Sequence, residues 1–205
     1  MQIHKIYPRG FGANTYVLTK DGKTAVVIDP SGAHVENKLR ELGLKAEYVL
    51  LTHSHFDHVL GVKELQENGA KVLCLDKEKP LVGTFADLFE AFGASRKFYH
   101  VDETVKDGEE ITLCGIKFTV LHTPGHTAGS VCYIVENDGG RCVFSGDTLF
   151  ENSIGRTDFP TGDTGLIRNS LKKLLAIENM QVYAGHGEDT TIDCERKNNP
   201  FLQDL

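Results

Sequence analysis

No apolar run in this 205-residue chain approaches the roughly 20 residues that span a bilayer. Residues 1–10 lack the hydrophobic core of a signal peptide. Basic charge is short as well. The chain has 22 Lys and Arg against 29 Asp and Glu, a formal net charge of −7, whereas a grip on nucleic-acid phosphates needs a basic face. The cysteines do not form a framework: there are 5, an odd number, and none is spaced C-x-x-C. That suits reduced thiols in the cytoplasm better than secreted disulfides. Low-complexity segments, charge blocks, Pro/Ser-rich linkers and short repeats are also missing, so nothing divides the chain. What is present is ordinary globular usage, 40% hydrophobic and 25% charged, at a length that buries one good core. The expectation is one cytoplasmic domain over residues 1–205, with no nucleic-acid or membrane partner and its oligomeric state left open.

Apolar periodicity supplies the elements. Residues 15–18 and 25–28 read as strands joined at Asp21-Gly22, a hairpin signal. Val35, Leu39 and Leu42 recur at helical spacing, with Gly43 as the stop. Residues 48–51 read as a buried strand that ends just before Thr52-His53, followed by a helix over 59–68 ending at Gly69 and a strand over 71–75. Phe85, Leu88, Phe89 and Phe92 sit at i, i+3, i+4 and i+7, which predicts a helix packed on the core rather than an active-site lid. A hairpin over 110–113 and 116–121 turns at Cys114-Gly115. Strands over 131–135 and 141–144 join at Asn137-Asp138-Gly139-Gly140, and a helix over 166–175 precedes a last strand at 182–184. The pattern is mixed α/β.

The chemistry concentrates in Thr52-His53-Ser54-His55-Phe56-Asp57-His58, an H-x-H-x-D-H pattern placed after a strand. Alternate residues leaving a strand project to one side, so His53 and His55 can share a metal, while Asp57 and His58 can face a second position. Imidazole and carboxylate suit zinc, iron or manganese. Three later loops also follow strands: Thr123-Pro124-Gly125-His126-Thr127, Ser145-Gly146-Asp147 and Ala184-Gly185-His186-Gly187. Glycine flanks help such loops aim one side chain, and α/β active sites gather at strand ends. Asp29, ending a strand in Val27-Ile28-Asp29-Pro30, suits a hydrogen bond to a ligand histidine, with helix capping as the competing role. His4, His34, His100 and His122 carry no motif, and the cysteines carry no catalytic assignment.

In this order the motifs resemble the metallo-β-lactamase superfamily, whose fold is an αββα sandwich with a metal site along one edge. Matched position by position, the resemblance implies that His53, His55 and His126 hold a first metal. Asp57, His58 and His186 would hold a second, with Asp147 bridging. The presence of His58 and Asp147 points away from antibiotic hydrolysis and toward glyoxalase II, which cleaves S-2-hydroxyacylglutathione thioesters. Ile154-Gly155-Arg156-Thr157-Asp158-Phe159-Pro160 and Asn199-Pro200-Phe201-Leu202 resemble the short, single-domain bacterial branch of that group. Glyoxalase II proper adds a C-terminal helical region with basic residues for glutathione, whereas only Gly187 to Leu205 follow His186 here, so the thiol is left open.

Two divalent metals, zinc by preference and otherwise iron or manganese, would share a water and hold it as hydroxide near neutral pH. That bridging hydroxide would attack the thioester carbonyl, and the thiolate, with an ordinary thiol pKa near 8.5, would leave with little acid help. Asp57 would orient the water or take its proton besides ligating metal. Arg156 would bind a substrate carboxylate through its paired donors, unless it is engaged in an ion pair with Asp158. The rival enzyme is a persulfide dioxygenase using one iron on His53, His126 and Asp147. A nuclease and a non-catalytic metal-binding protein follow further behind.

Overall fold

The apolar runs sort by parity, as alternate side chains of a strand must. Tyr16, Leu18, Val26 and Ile28 enter one buried cluster, whereas Val17, Ala25 and Val27 enter another. The computed structural model describes residues 1–137, 140–203 and 205. Its first sheet takes six strands in chain order: β1 (Gln2–Ile6), β2 (Thr15–Thr19), β3 (Thr24–Ile28), β4 (Lys45–Leu50), β5 (Lys71–Leu75) and β6 (Glu103–Val105). The first three pair antiparallel and β3 to β6 pair parallel.

The chain then builds β7 (Glu110–Leu113), β8 (Ile116–His122), β9 (Val131–Asn137) and β10 (Gly140–Gly146), a separate small hairpin of β11 (Leu149–Phe150) and β12 (Ser153–Ile154), and finally β13 (Gln181–Ala184) and β14 (Thr190–Thr191). The second sheet runs β14-β13-β10-β9-β8-β7. Only β10 and β13 pair parallel within it. The helices are α1 (His34–Leu42), α2 (Phe56–Val59), α3 (Val62–Glu67), α4 (Thr164–Leu175) and α5 (Ile192–Asn198).

Three apolar layers follow. Leu50, Leu73, Phe118, Val120, Tyr133 and Phe144 join the Tyr16 cluster between the two sheets. Val49 and Val72 pack outward against Val35 and Leu39 of α1 and Val62 and Leu65 of α3. On the far side Cys132, Ile134, Val143 and Val182 pack on Ile167, Leu171 and Leu174 of α4. This is the αββα arrangement of the metallo-β-lactamase fold. No helix among the described residues is long and apolar enough to cross a membrane.

The hairpins at Asp21-Gly22 and Cys114-Gly115 form as expected, and Gly43 ends α1 with φ 68 while its N–H donates to the Arg40 carbonyl. The Asp138-Gly139 turn lies outside the described residues. Two expectations are corrected. The helix over 59–68 is broken into α2 and α3, because Gly61 donates to the Pro30 carbonyl at 2.8 Å and any side chain there would come within 2.6 Å of the Gly32 carbonyl. The segment Phe85 to Phe92 is not a helix on the core. Only Phe85–Asp87 makes a 3₁₀ turn, after which Leu88 adopts φ 66. The buried Asp87 carboxylate accepts from Gly83 N, Phe89 N and Arg96, bonds that compete with a helical ladder. Leu88 and Phe89 are buried, but Phe85 is 71% and Phe92 52% exposed.

Candidate metal centre

Four loops meet at one edge of the sandwich. The segment after β4 brings His53 and His55, then opens α2, whose first turn presents Asp57 and His58. The β8–β9 loop brings His126, the end of β10 Asp147, and the end of β13 His186. All seven residues singled out in the sequence converge. One ligand atom each from His53, His55 and His126 lie within 4.8 Å of one another, and the same holds for His53, His58 and Asp147 and for Asp57, His58 and His186. Asp147 reaches both sides, with Oδ1 3.2 Å from His58 Nε2 and Oδ2 3.4 Å from His126 Nε2. His186 Nε2 lies 3.2 Å from Asp57 Oδ2.

The donor set fits divalent cations. His53 Nε2 is buried without a hydrogen-bond partner, and unsatisfied buried polar atoms are costly unless something supplies the missing contact. His55 Nδ1 and His126 Nε2 face each other at 2.9 Å, a pairing of ring nitrogens that a shared cation resolves. The fold family implies divalent metal ions, and five imidazoles with two carboxylates offer the ligands they use.

Charge within the cluster is split. Burial, with the neighbouring His58, holds His53 well below the ordinary histidine range, and burial with His126 brings His55 down to about 3. Burial opposes protonation of His58 too, but Asp147, Asp57 and Asp29 override it and hold its pKa well above the usual value. Against burial, Asp147 and Asp57 lift His186 to about 9. Burial favours a neutral Asp147, yet His58 and His186 keep it strongly acidic. Hence His53 and His55 present neutral imidazoles, and the second triad is internally ion-paired.

Positioning comes from groups around the cluster. Asp29 accepts from His58 Nδ1 at 2.9 Å, from Thr52 N at 2.8 Å and from Thr52 Oγ1 at 2.6 Å. The hydrogen bond expected from its place in the sequence is therefore present, and α1 has no side-chain cap. Thr52 Oγ1 also meets His53 Nδ1 at 3.1 Å, and the Arg156 carbonyl accepts from His126 Nδ1 at 2.7 Å. These contacts leave Nε2 of His53, His58 and His126 facing the cluster. Gly185 must be glycine, since a Cβ there would collide with Asp147 and sit 2.9 Å from the His58 ring.

Sequence reasoning missed Glu78 and Asn14. Glu78 is fully buried and accepts from Ser54 N (2.8 Å), Ser54 Oγ (2.6 Å) and Thr127 Oγ1 (2.8 Å), tying the His53–His55 segment to the His126 loop. In sequence it lies within the charged stretch Asp76-Lys77-Glu78-Lys79, which carries no motif. Asn14 donates to the carbonyls of Ala184 and Gly187, 3.0 Å each, and so fixes the His186 loop. Arg156 forms the Asp158 ion pair, both bonds 2.6 Å, with its guanidinium 3.9 Å above the Phe159 ring. It nonetheless stands at the rim of an open cavity of about 540 Å³ whose floor is the cluster.

This fold and site define the class. The profile of the metallo-beta-lactamase superfamily matches residues 8–186, and the chain belongs to that superfamily of metallo-hydrolases. Hydroxyacylglutathione hydrolase GloC of Haemophilus influenzae is 35% identical over 214 residues, covering 98% of either chain. Among solved structures, BLEG-1 B3 metallo-beta-lactamase superposes with TM-score 0.89 at 34% identity, covering 98% of this chain and 100% of its own. TTHA1623 in a di-iron-bound form gives 0.84 at 33%, with the same coverage.

Proposed function

We propose that this chain is a two-metal hydrolase of small thioesters, with an S-2-hydroxyacylglutathione or a related thiol ester as substrate. The observation that carries the reading is Asp147 lying between two complete triads on the floor of one cavity. In this reading His53, His55 and His126 would hold the first metal and Asp57, His58 and His186 the second, with Asp147 available to both. Zinc is the preferred occupant, with iron or manganese as alternatives. When bound, the divalent pair supplies an acidified water and polarises a carbonyl.

The chain's own residues do the rest. Asp29 keeps the His58 proton on Nδ1, and the Arg156 carbonyl does the same for His126. Asp57 lines the cavity and in this reading would orient the water and take its proton. A departing thiolate is stable enough to need no donor, so no protein acid and no protein nucleophile is assigned. Arg156, at the rim, is the candidate contact for a substrate carboxylate that displaces Asp158. We read the protein as cytoplasmic, which its five free cysteines support, and as acting on a small molecule rather than on nucleic acid or a membrane.

A one-iron persulfide dioxygenase using His53, His126 and Asp147 would leave the convergence of Asp57, His58 and His186 without a purpose. The test is metal content per chain followed by a panel of S-lactoylglutathione, other glutathione thioesters and a β-lactam. About two metals with thioester turnover supports the proposal. One iron with oxygen uptake on a persulfide replaces it by the dioxygenase, and turnover of the β-lactam alone replaces it by a lactamase.

A further inference from the structure

Above the metal cluster the cavity wall is aromatic. Phe11, Phe56, Phe92, Phe150, Phe159 and Ile154 line it. The rings form a connected arch. Phe159 meets the His55 ring edge-on at 5.8 Å, Phe92 meets Phe159 at 5.9 Å and stacks on Phe56 at 5.1 Å. On the opposite side Phe150 stands edge-on to His186 at 5.9 Å. Aromatic faces therefore flank both triads. Phe11 is 90% exposed and Phe92 52%, so the mouth holds apolar surface that water covers poorly and a ligand would cover well.

Polar anchoring is sparse by comparison. Among the described residues, and apart from the candidate metal ligands, the one charged side chain lining this cavity is Arg156, and both of its fork bonds already go to Asp158. A short hydroxyacyl group would find no hydroxyl partner among these rings, and a peptide-like thiol carries charges that the interior does not match. The charged half of a thioester belongs at the rim near Arg156, which leaves the interior to the acyl half.

From this we infer an acyl subsite, built by Phe11, Phe92, Phe150 and Phe159, that selects thioesters of apolar, aryl-sized acyl groups over small polar ones. The inference rests on the thioester reading above and narrows its substrate class. Rings of this size gain from burial and from edge-on or offset contacts with a ligand ring, and pocket discrimination of this kind amounts to about tenfold or more.

The experiment compares S-phenylacetyl-, S-acetyl- and S-lactoylglutathione with metal-loaded protein, and in parallel measures binding of S-phenethyl- and S-ethylglutathione, non-hydrolysable thioethers, to metal-free protein. The expected result is a kcat/KM for the phenylacetyl ester at least about tenfold above the other two, and a matching Kd preference for the phenethyl thioether. In Phe11→Ala/Phe92→Ala both ratios should fall toward one. Phe11 is so exposed that its loss leaves the fold intact, and a native circular dichroism melt checks that. If thioesters are cleaved but lactoyl or acetyl is favoured, the subsite is refuted and thioester hydrolysis stands. If no thioester is cleaved, the binding ratio decides: a retained phenethyl preference upholds the subsite while the thioester reading falls, and no preference removes both.

Discussion

Asp29→Asn changes one atom, and its consequence can be followed to the metal. The backbone accommodates the change, because Asp29 has φ 51 and asparagine is among the side chains most tolerated in that region. Thr52 N donates to Asp29 Oδ1 at 2.8 Å, so the oxygen of the new amide keeps that place. The amide nitrogen then stands where Oδ2 accepts from Thr52 Oγ1 at 2.6 Å and from His58 Nδ1 at 2.9 Å. The Thr52 hydroxyl can turn and accept from it, still meeting His53 Nδ1. His58 has no such freedom. An amide donor requires an unprotonated Nδ1, which moves the ring proton to Nε2, the atom 3.2 Å from Asp147. That nitrogen then has no lone pair for a metal. Loss of such an outer partner costs about 10–100-fold in metal affinity, or about 1.4–2.8 kcal/mol. Zinc titration of metal-free protein against a chromophoric chelator should show two tight sites in the parent. In the variant it should show one tight site and one weakened by that factor, with thioester turnover falling alongside. A second site of undiminished affinity in a normally melting variant would refute the argument.

Other outcomes follow from the same geometry. His58 is held well above the ordinary histidine pKa and His186 at about 9, so metal binding at pH 7.5 should release about two protons, measurable by calorimetry in buffers of differing ionisation enthalpy. Because both folded values are raised, their contribution to metal-free stability is fully present below the unfolded histidine value of about 6.5. It is lost as pH rises through the folded ones, so the metal-free melting temperature should drop through about pH 9. Glu78→Ala removes three bonds at 2.6–2.8 Å and strands the Ser54 N–H. Urea unfolding should show a loss of about 3–5 kcal/mol, with Glu78→Gln retaining most of it. Asn199→Ala removes donors to the Ser153 carbonyl (3.0 Å) and to the buried Glu195 (2.8 Å). It should cost about 2–3 kcal/mol and speed hydrogen exchange in residues 149–154.

The site was far more legible than its supports. His53, His55, Asp57 and His58 are close in sequence, and each remaining ligand follows a strand beside a glycine, so local pattern was enough to mark all seven. The inner strands were legible as apolar runs, as in residues 25–28, but β1, β6 and β14 were not, and β14 follows the strand expected to be last. These edge strands are short or mostly polar and carry no such run. The Phe85–Phe92 stretch misled because helical spacing was imitated by a loop whose shape is set by Asp87 and Arg96, nine positions apart. Gly61 broke a helix through a contact with Gly32 that no local pattern announces. Glu78 and Asn14 escaped for the same reason. Their roles exist only between segments 24 and 170 residues apart, and at that range composition carries no signal.

The arch of rings and the histidine cluster are built from different stretches of chain. Phe11, Phe92 and Phe159 sit on connections and Phe150 in the short β11, while the ligands sit at the ends of the main strands and in the first turn of α2. The hydrogen bond from the wall segment to a ligand comes from the Arg156 carbonyl to His126, a main-chain atom that any amino acid at that position supplies, and the rings themselves meet His55 and His186 only by edge contact. Substrate range and metal chemistry are thus separately heritable. Combinatorial libraries restricted to those four ring positions should retain loaded metal in most members while changing which ester is cleaved, which makes this edge of the sandwich a natural starting point for directed evolution of new hydrolases.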